Sequence, residues 1–251
     1  MKIKQFIGLI LLITNTLSAQ TVRIAAAANV REALEEMRTV YKQYYPAVQL
    51  SINYGSSGMF VQQISNGAHF DVFLSADERF PNALQKQGMT MGQIETYALG
   101  KLVLYSLQLE VDQMGLDALD DVRVRKIAVA NPSTAPYGTR AIELLKSLDK
   151  YEKIQSKLIY GESITQAAQY GFTGNAELSF ISLSLVQLPG KHSKGYYYII
   201  PSTLYKPIKQ ACVLIKQKQV NLDAARFRDF ILSPVGRSIW IKYGYDCPEK
   251  Q

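Results

Sequence analysis

The chain is poor in the side chains that carry redox, metal and acid–base chemistry. Among 251 residues there are two Cys, two His and one Trp. His69 and His192 stand far apart, and Cys212 and Cys247 fall near the end without ligand spacing, so no zinc-type cluster is offered. Nucleophile elbow, phosphate-binding P-loop and dinucleotide fingerprint are all missing, and no Ser/His/acid set presents itself, which argues against a hydrolase. Dense Lys/Arg blocks are missing too. The 28 basic and 21 acidic residues leave a net charge of +7, a weak footprint for nucleic acid. No enzymatic activity, cofactor or nucleic-acid partner is therefore expected.

No apolar run approaches the roughly 20 residues of a membrane-spanning helix. One near the start, Phe6 to Ile13, follows Lys2 and Lys4 and precedes Ser18 and Ala19. That is the layout of a secretory signal peptide over residues 1–19, with cleavage before Gln20. No Cys immediately follows the run, so a lipid anchor is not expected and a free periplasmic protein is. Without residues 1–19 the chain has 232 residues and 26 basic against 21 acidic side chains, a charge of +5. An oxidising compartment permits a disulfide between Cys212 and Cys247, where it would tie the C-terminal tail to a late strand, with two free buried thiols as the alternative.

What is present is an alternation of short β-rich runs and amphipathic helical stretches, the pattern of an α/β fold with mostly parallel sheets. Thr21 to Ala27 reads as a strand. Val30 to Tyr45 reads as a helix, with Leu34, Met37, Tyr41 and Tyr44 at helical spacing before Pro46. Further strands are expected at 48–54, 71–75, 99–106, 126–131, 157–160, 177–182, 196–200 and 209–215. Helices are expected at 59–66, 80–87, 139–148, 163–170, 222–231 and 235–243. No long polar linker separates an early series from a late one, so the chain should cross between two lobes more than once. The expected division is lobe 1 over 20–105 and 211–251, and lobe 2 over 106–210.

Four strand-to-helix turns share one character: small, hydroxyl or amide residues with no flanking Lys or Arg. They are Ala26-Ala27-Ala28-Asn29, Gly55-Ser56-Ser57-Gly58, Ala135-Pro136-Tyr137-Gly138-Thr139 and Gly161-Glu162-Ser163-Ile164-Thr165. In open α/β sheets such turns collect at the C-terminal strand ends, where ligands bind. Helix starts there present unpaired N–H groups and a positive dipole end, which suit an anion. Asn29 and Ser57 can add side-chain donors. Each turn taken alone is also ordinary helix capping. A site made only of donors suits a fully deprotonated dianion, because a monoprotonated phosphate needs an acceptor for its proton. Sulfate exclusion would depend on cavity size. Asp71, Asp77 and Glu78 read as structural acids, and Trp240 as core.

Several strings together resemble the periplasmic molybdate-binding protein family. They include Ala26-Ala27-Ala28-Asn29-Val30, Tyr54-Gly55-Ser56-Ser57-Gly58 with Gln62-Gln63-Ile64, and Asp71-Val72-Phe73-Leu74-Ser75-Ala76-Asp77. Ala98-Leu99-Gly100-Lys101-Leu102-Val103-Leu104, Ala128-Val129-Ala130-Asn131-Pro132, Pro136-Tyr137-Gly138, Phe230-Ile231-Leu232-Ser233-Pro234 and Tyr243-Gly244-Tyr245 continue the match in order. The resemblance implies a two-lobed, type II periplasmic-binding-protein fold, each lobe a mostly parallel sheet flanked by helices with the ligand cleft between. It also implies a receptor that passes molybdate to the membrane permease of an ABC importer; tungstate, nearly isosteric, should bind comparably, and a monomer is expected of a receptor that must open and close. The only metal is then the molybdenum or tungsten of the anion. By position, Ser57 matches the family's hydroxyl ligand, and Tyr137 and Ile164 match backbone donors. Ala28 and Asn29 stand in the first turn, Asn29 where many members have Ser. Ser182 falls where some members place a ligand Tyr; its shorter hydroxyl makes it the weaker candidate.

Overall fold

The computed structural model describes residues 21–190, 194–219 and 221–248. The expected signal peptide (1–19) and His192 lie outside the described residues. Strand β1 (Thr21–Ala27) alternates between two apolar cores: Val22, Ile24 and Ala26 enter one, and Ala25 enters the other on the opposite face. Helix α1 (Arg31–Tyr44) buries Ala33, Leu34, Met37 and Tyr41, whereas Tyr44, expected on the same face, is 60% exposed at the last position. Then come β2 (Gln49–Gly55), α2 (Ser57–Ser65), β3 (Val72–Ser75), α3 (Arg79–Lys86) and β4 (Thr90–Gly100). The apolar pattern predicts only the end of β4. It is an edge strand with exposed Gly92 and Gln93, so its first half carries no continuous apolar run.

The strand expected over Leu99 to Ser106 is divided at Lys101. Gly100 ends β4 in one sheet, and β5 (Leu102–Ser106) pairs in the other. The expected lobe boundary at residue 105 thus places β5 on the wrong side of the crossing. Beyond it lie α4 (Val111–Met114), β6 (Ile127–Ala130), α5 (Pro136–Ser147), α6 (Tyr151–Ile154), β7 (Leu158–Gly161), α7 (Ile164–Phe172), β8 (Leu178–Ser182) and β9 (Tyr196–Ile199). The chain returns as β10 (Ile208–Ile215), followed by α8 (Leu222–Leu232) and α9 (Pro234–Lys242).

The first sheet has the order β2-β1-β3-β10-β4 and the second β7-β6-β8-β5-β9. In each, one strand is reversed: β10 is antiparallel to β3 and β4, and β5 to β8 and β9. The reversed strands are the ones by which the chain enters each sheet from the other, so the same crossover geometry is used in both directions. The C-terminal ends of β1, β2 and β3 consequently share one edge, as do those of β6, β7 and β8. The first sheet is packed on both faces. One core contains Leu34, Met37, Phe227 and Trp240; the other contains Phe60, Phe73, Leu84 and Val213. Trp240 is fully buried between Tyr97 and Tyr245, at ring distances of 4.9 and 5.5 Å, and its Nε1 donates to the Ile231 carbonyl at 3.0 Å.

Cys212 and Cys247 are free, the alternative to the disulfide that the sequence permits. Cys212 lies on β10 opposite Glu95 of β4. Cys247 follows Asp246, which bonds Leu99 from the other edge of β4 (N···O 2.7 and 3.1 Å). A strand stands between the two thiols. Two strand spacings amount to about 10 Å, beyond the ~7 Å between Cα atoms that a disulfide spans. Both thiols instead pack in or against one apolar core, and burial pushes that of Cys212 up to about 12. Thiol titration of unreduced, denatured protein should therefore find two thiols per chain, and reductant should leave the melting temperature unchanged; a count near zero would restore the bridge.

Candidate functional site

Two helices begin earlier than their apolar patterns predict. α2 starts at Ser57 and α5 at Pro136, so Ser57 and Tyr137 belong to first turns and not to loops. Pro136 suits the first helical position because its missing N–H is one that no helix could pair. A single 3-10 turn, Ala28–Val30, follows β1 in the same way, and α7 starts at Ile164. The first N–H groups of each start have no acceptor within their own helix. In α7 the Ser163 hydroxyl takes up Gln166 N–H at 3.3 Å, which leaves those of Ile164 and Thr165.

All four starts meet around one small cavity. Ala27, Ala28, Asn29, Gly55, Ser56, Ser57 and Ala76 line it from the first sheet, and Ala135, Pro136, Tyr137 and Ile164 from the second. Every one of these side chains is neutral. The small ones bring the backbone itself to the cavity wall. Ser57 Oγ accepts the Ala76 N–H at 3.0 Å, which fixes the hydroxyl and leaves its hydrogen free to donate.

The two sheets are joined at the cavity by hydrogen bonds. Gly58 N–H donates to the Thr134 carbonyl at 2.9 Å. A Cβ on residue 58 would stand 2.8 Å from Thr134 Cα, so only glycine permits this approach. Ser184 Oγ donates to the Asn29 carbonyl at 2.9 Å and is itself 2.9 Å from Tyr245 Oη. Arg79 Nη2 reaches Thr139 Oγ1 at 3.2 Å, with the Arg79 charge paired to Asp77 at 2.6 Å.

Beneath the cavity runs a buried neutral network. Asn29, 2% exposed, gives its two amide hydrogens to Gln210 Oε1 at 2.8 Å and Tyr245 Oη at 2.9 Å. Gln210 Oε1 also accepts from Tyr97 Oη at 3.1 Å, and Gln210 Nε2 faces Tyr137 Oη at 3.4 Å. Tyr137 Oη accepts from Ser182 Oγ at 3.0 Å and lies where a Cβ on Gly100 would be only 2.1 Å away. The Tyr137 phenol from the second sheet is thereby seated against the crossover. Burial holds Tyr97 and Tyr137 well above the ordinary tyrosine range and pushes Tyr245 up to about 12, so all three remain protonated near neutrality.

Of the residues singled out from sequence, Ala28, Asn29, Ser57, Tyr137 and Ile164 come together at this cavity. Two roles change. The Asn29 side-chain amide cannot donate into the cavity, because both its hydrogens are committed; Asn29 still lines the cavity, and its Oδ1 has no partner. Ser182 bonds Tyr137 and Ser184, supporting the Tyr137 phenol and not the cavity wall. Gln210, Ser184, Ala76 and Ser56 were not singled out. Gln210 carries a weak signal as the polar residue before an apolar Ala211-Cys212-Val213 run. The three acids are structural: Asp71 accepts from Arg23 N–H at 2.7 Å, Asp77 from Arg79 N–H at 3.1 Å, and Glu78 from Thr96 Oγ1 at 3.0 Å.

Residues 22–246 match the model of the bacterial extracellular solute-binding protein family. The molybdate-binding protein ModA of Azotobacter vinelandii is 38% identical over 229 residues, covering 90% of each chain. That of Rhodobacter capsulatus is 39% identical over 230 residues, 91% of this chain and 89% of the relative. The solved Azotobacter vinelandii periplasmic molybdate-binding protein superposes with a TM-score of 0.85 at 31% identity, over 91% of this chain and all of the other. The sulfate-binding protein SubI of Mycobacterium tuberculosis, 12% identical with a TM-score of 0.74, shares the fold alone. Two five-stranded sheets flanked by helices, a cavity at their facing edges and similarity along nearly the whole chain agree: this chain has the periplasmic-binding-protein fold and belongs to the bacterial extracellular solute-binding proteins, which are binding proteins and not enzymes.

Proposed function

We propose that this protein is a periplasmic receptor for a tetrahedral oxyanion, molybdate first and tungstate second, and that it passes the anion as a monomer to the permease of an ABC importer. The observation that carries the reading is the convergence of four helix starts from both sheets on one small cavity walled by neutral side chains. Similarity to molybdate-binding proteins from two organisms supports the choice of anion. Residues 1–19 supply the export signal in this reading.

The donors are the Ser57 hydroxyl and the backbone N–H groups of Ala28, Asn29, Tyr137 and Ile164. Hydrogen bonds to a charged group contribute roughly 1.5–3 kcal/mol each. Several of them, together with four positive helix ends, offset the cost of stripping water from a dianion without any counter-charge. Closure of the two sheets completes the set, because Ala28, Asn29 and Ser57 belong to one side and Tyr137 and Ile164 to the other.

A thermal-shift titration tests the reading. At a free concentration of about 100 Kd a native-state ligand adds ~2.7 kcal/mol, which for a chain of this size raises the melting temperature by roughly 5–10 °C. Molybdate and tungstate should produce that shift at far lower concentration than sulfate, and phosphate should produce none. No response to molybdate or tungstate sinks the proposal.

Ser57→Ala removes a donor that the Ala76 N–H has already oriented. Calorimetry should show molybdate binding weakened by roughly 10- to 150-fold. Asn29→Ala is a poorer probe, since it also strands Gln210 and Tyr245. The cavity wall holds no group that changes charge between about pH 6 and 9, with the tyrosines below it raised further by burial. Affinity should therefore stay constant within about two-fold across that range; a bell-shaped or stepped profile would point to an ionising ligand.

A further inference from the structure

Ser56 stands at the N-cap of α2, where a serine hydroxyl ordinarily accepts an N–H from the second or third helical residue. Here it accepts neither. The second of those residues is Gly58, and its N–H goes across the cleft to the Thr134 carbonyl at 2.9 Å. Ser56 is 4% exposed, its Oγ has no hydrogen-bond partner, and it lines the cavity between Ser57 and the first turn. A hydroxyl buried without a partner is destabilising. The fold has given up a cap bond and left an unpartnered hydroxyl on a residue that lines the cavity.

We propose that Ser56 is a second hydroxyl donor to the bound oxyanion and that closure of the lobes releases it for this task. The inference rests on the oxyanion reading of the cavity. With the second sheet swung away, the Thr134 carbonyl leaves Gly58, whose N–H returns to Ser56 as an ordinary cap. On closure Thr134 claims Gly58 N–H, and the Ser56 hydroxyl turns its hydrogen to the anion. Binding strength is thus tied to the closed geometry through one shared N–H. Ser56 also supplies a side-chain donor in a site where Ala28 has none and the Asn29 amide is committed elsewhere.

The test uses Ser56→Gly, because glycine is nearly as good a cap as serine and keeps the helix start intact, with Ser56→Thr as the variant that retains the hydroxyl. Molybdate Kd is measured by calorimetry alongside the unliganded melting temperature, for these proteins, wild type and Ser57→Ala. Ser56→Gly should bind at least ten-fold more weakly with an unchanged unliganded melting temperature, and Ser56→Thr should stay within a few-fold of wild type. Wild-type affinity in Ser56→Gly overturns the inference while leaving the oxyanion reading intact. A wild type that binds no tetrahedral anion, with Ser57→Ala equally silent, overturns both. Gly58→Ala, whose Cβ would strike Thr134, probes the coupling. Combined with Ser56→Gly it should cost no more than Gly58→Ala alone, and additive losses overturn the hand-over.

Discussion

Backbone N–H groups that no helix can pair internally are the constraint on which the rest of this structure depends. Every helix leaves such groups at its start, and a protein ordinarily covers them with side-chain caps or water. Four starts here are instead aimed at a common point from two sheets, with alanine, glycine and serine around them so that the peptide groups reach the cavity wall. The absence of charged side chains follows. An arginine there would occupy the space, and a carboxylate would repel the anion.

The neutral network beneath the cavity supplies stiffness. Asn29, Gln210, Tyr97, Tyr137, Tyr245, Ser182 and Ser184 are buried, and each has at least one hydrogen-bond partner among the others. Such a network is stabilising only when its members meet in one arrangement, because each unpaired polar atom carries its own desolvation cost. Its residues come from both sheets and the C-terminal tail, so it registers whether the lobes are together. Tyr137 touches both layers: it lines the cavity, and its phenol sits against the crossover at Gly100.

Much of this organisation is legible in the chain. β1, α1, β3, α8 and α9 fall within a residue or two of their apolar patterns, since each buries one face at a fixed period. The four turns stand out because small and hydroxyl residues recur between strand and helix. What escaped has physical causes. β4 is half-solvated at a sheet edge and leaves a faint pattern. Lys101 breaks a run that is apolar on both sides, and only pairing partners tell that the two halves belong to different sheets. The disulfide fails because composition counts thiols but not the strand between them.

The sequence by itself determined the alternating α/β class, the neutral character of the turns and the scarcity of catalytic or metal-binding side chains, because these depend on residue type and short-range spacing. Tertiary structure alone decided which donors are free. The Asn29 amide is spent on Gln210 and Tyr245, 181 and 216 residues away in the chain. Ser182 supports a phenol, and Ser56 loses its cap to a carbonyl from the other sheet. A hydrogen bond is a claim on an atom by its spatial neighbour, and no local pattern records who that neighbour will be.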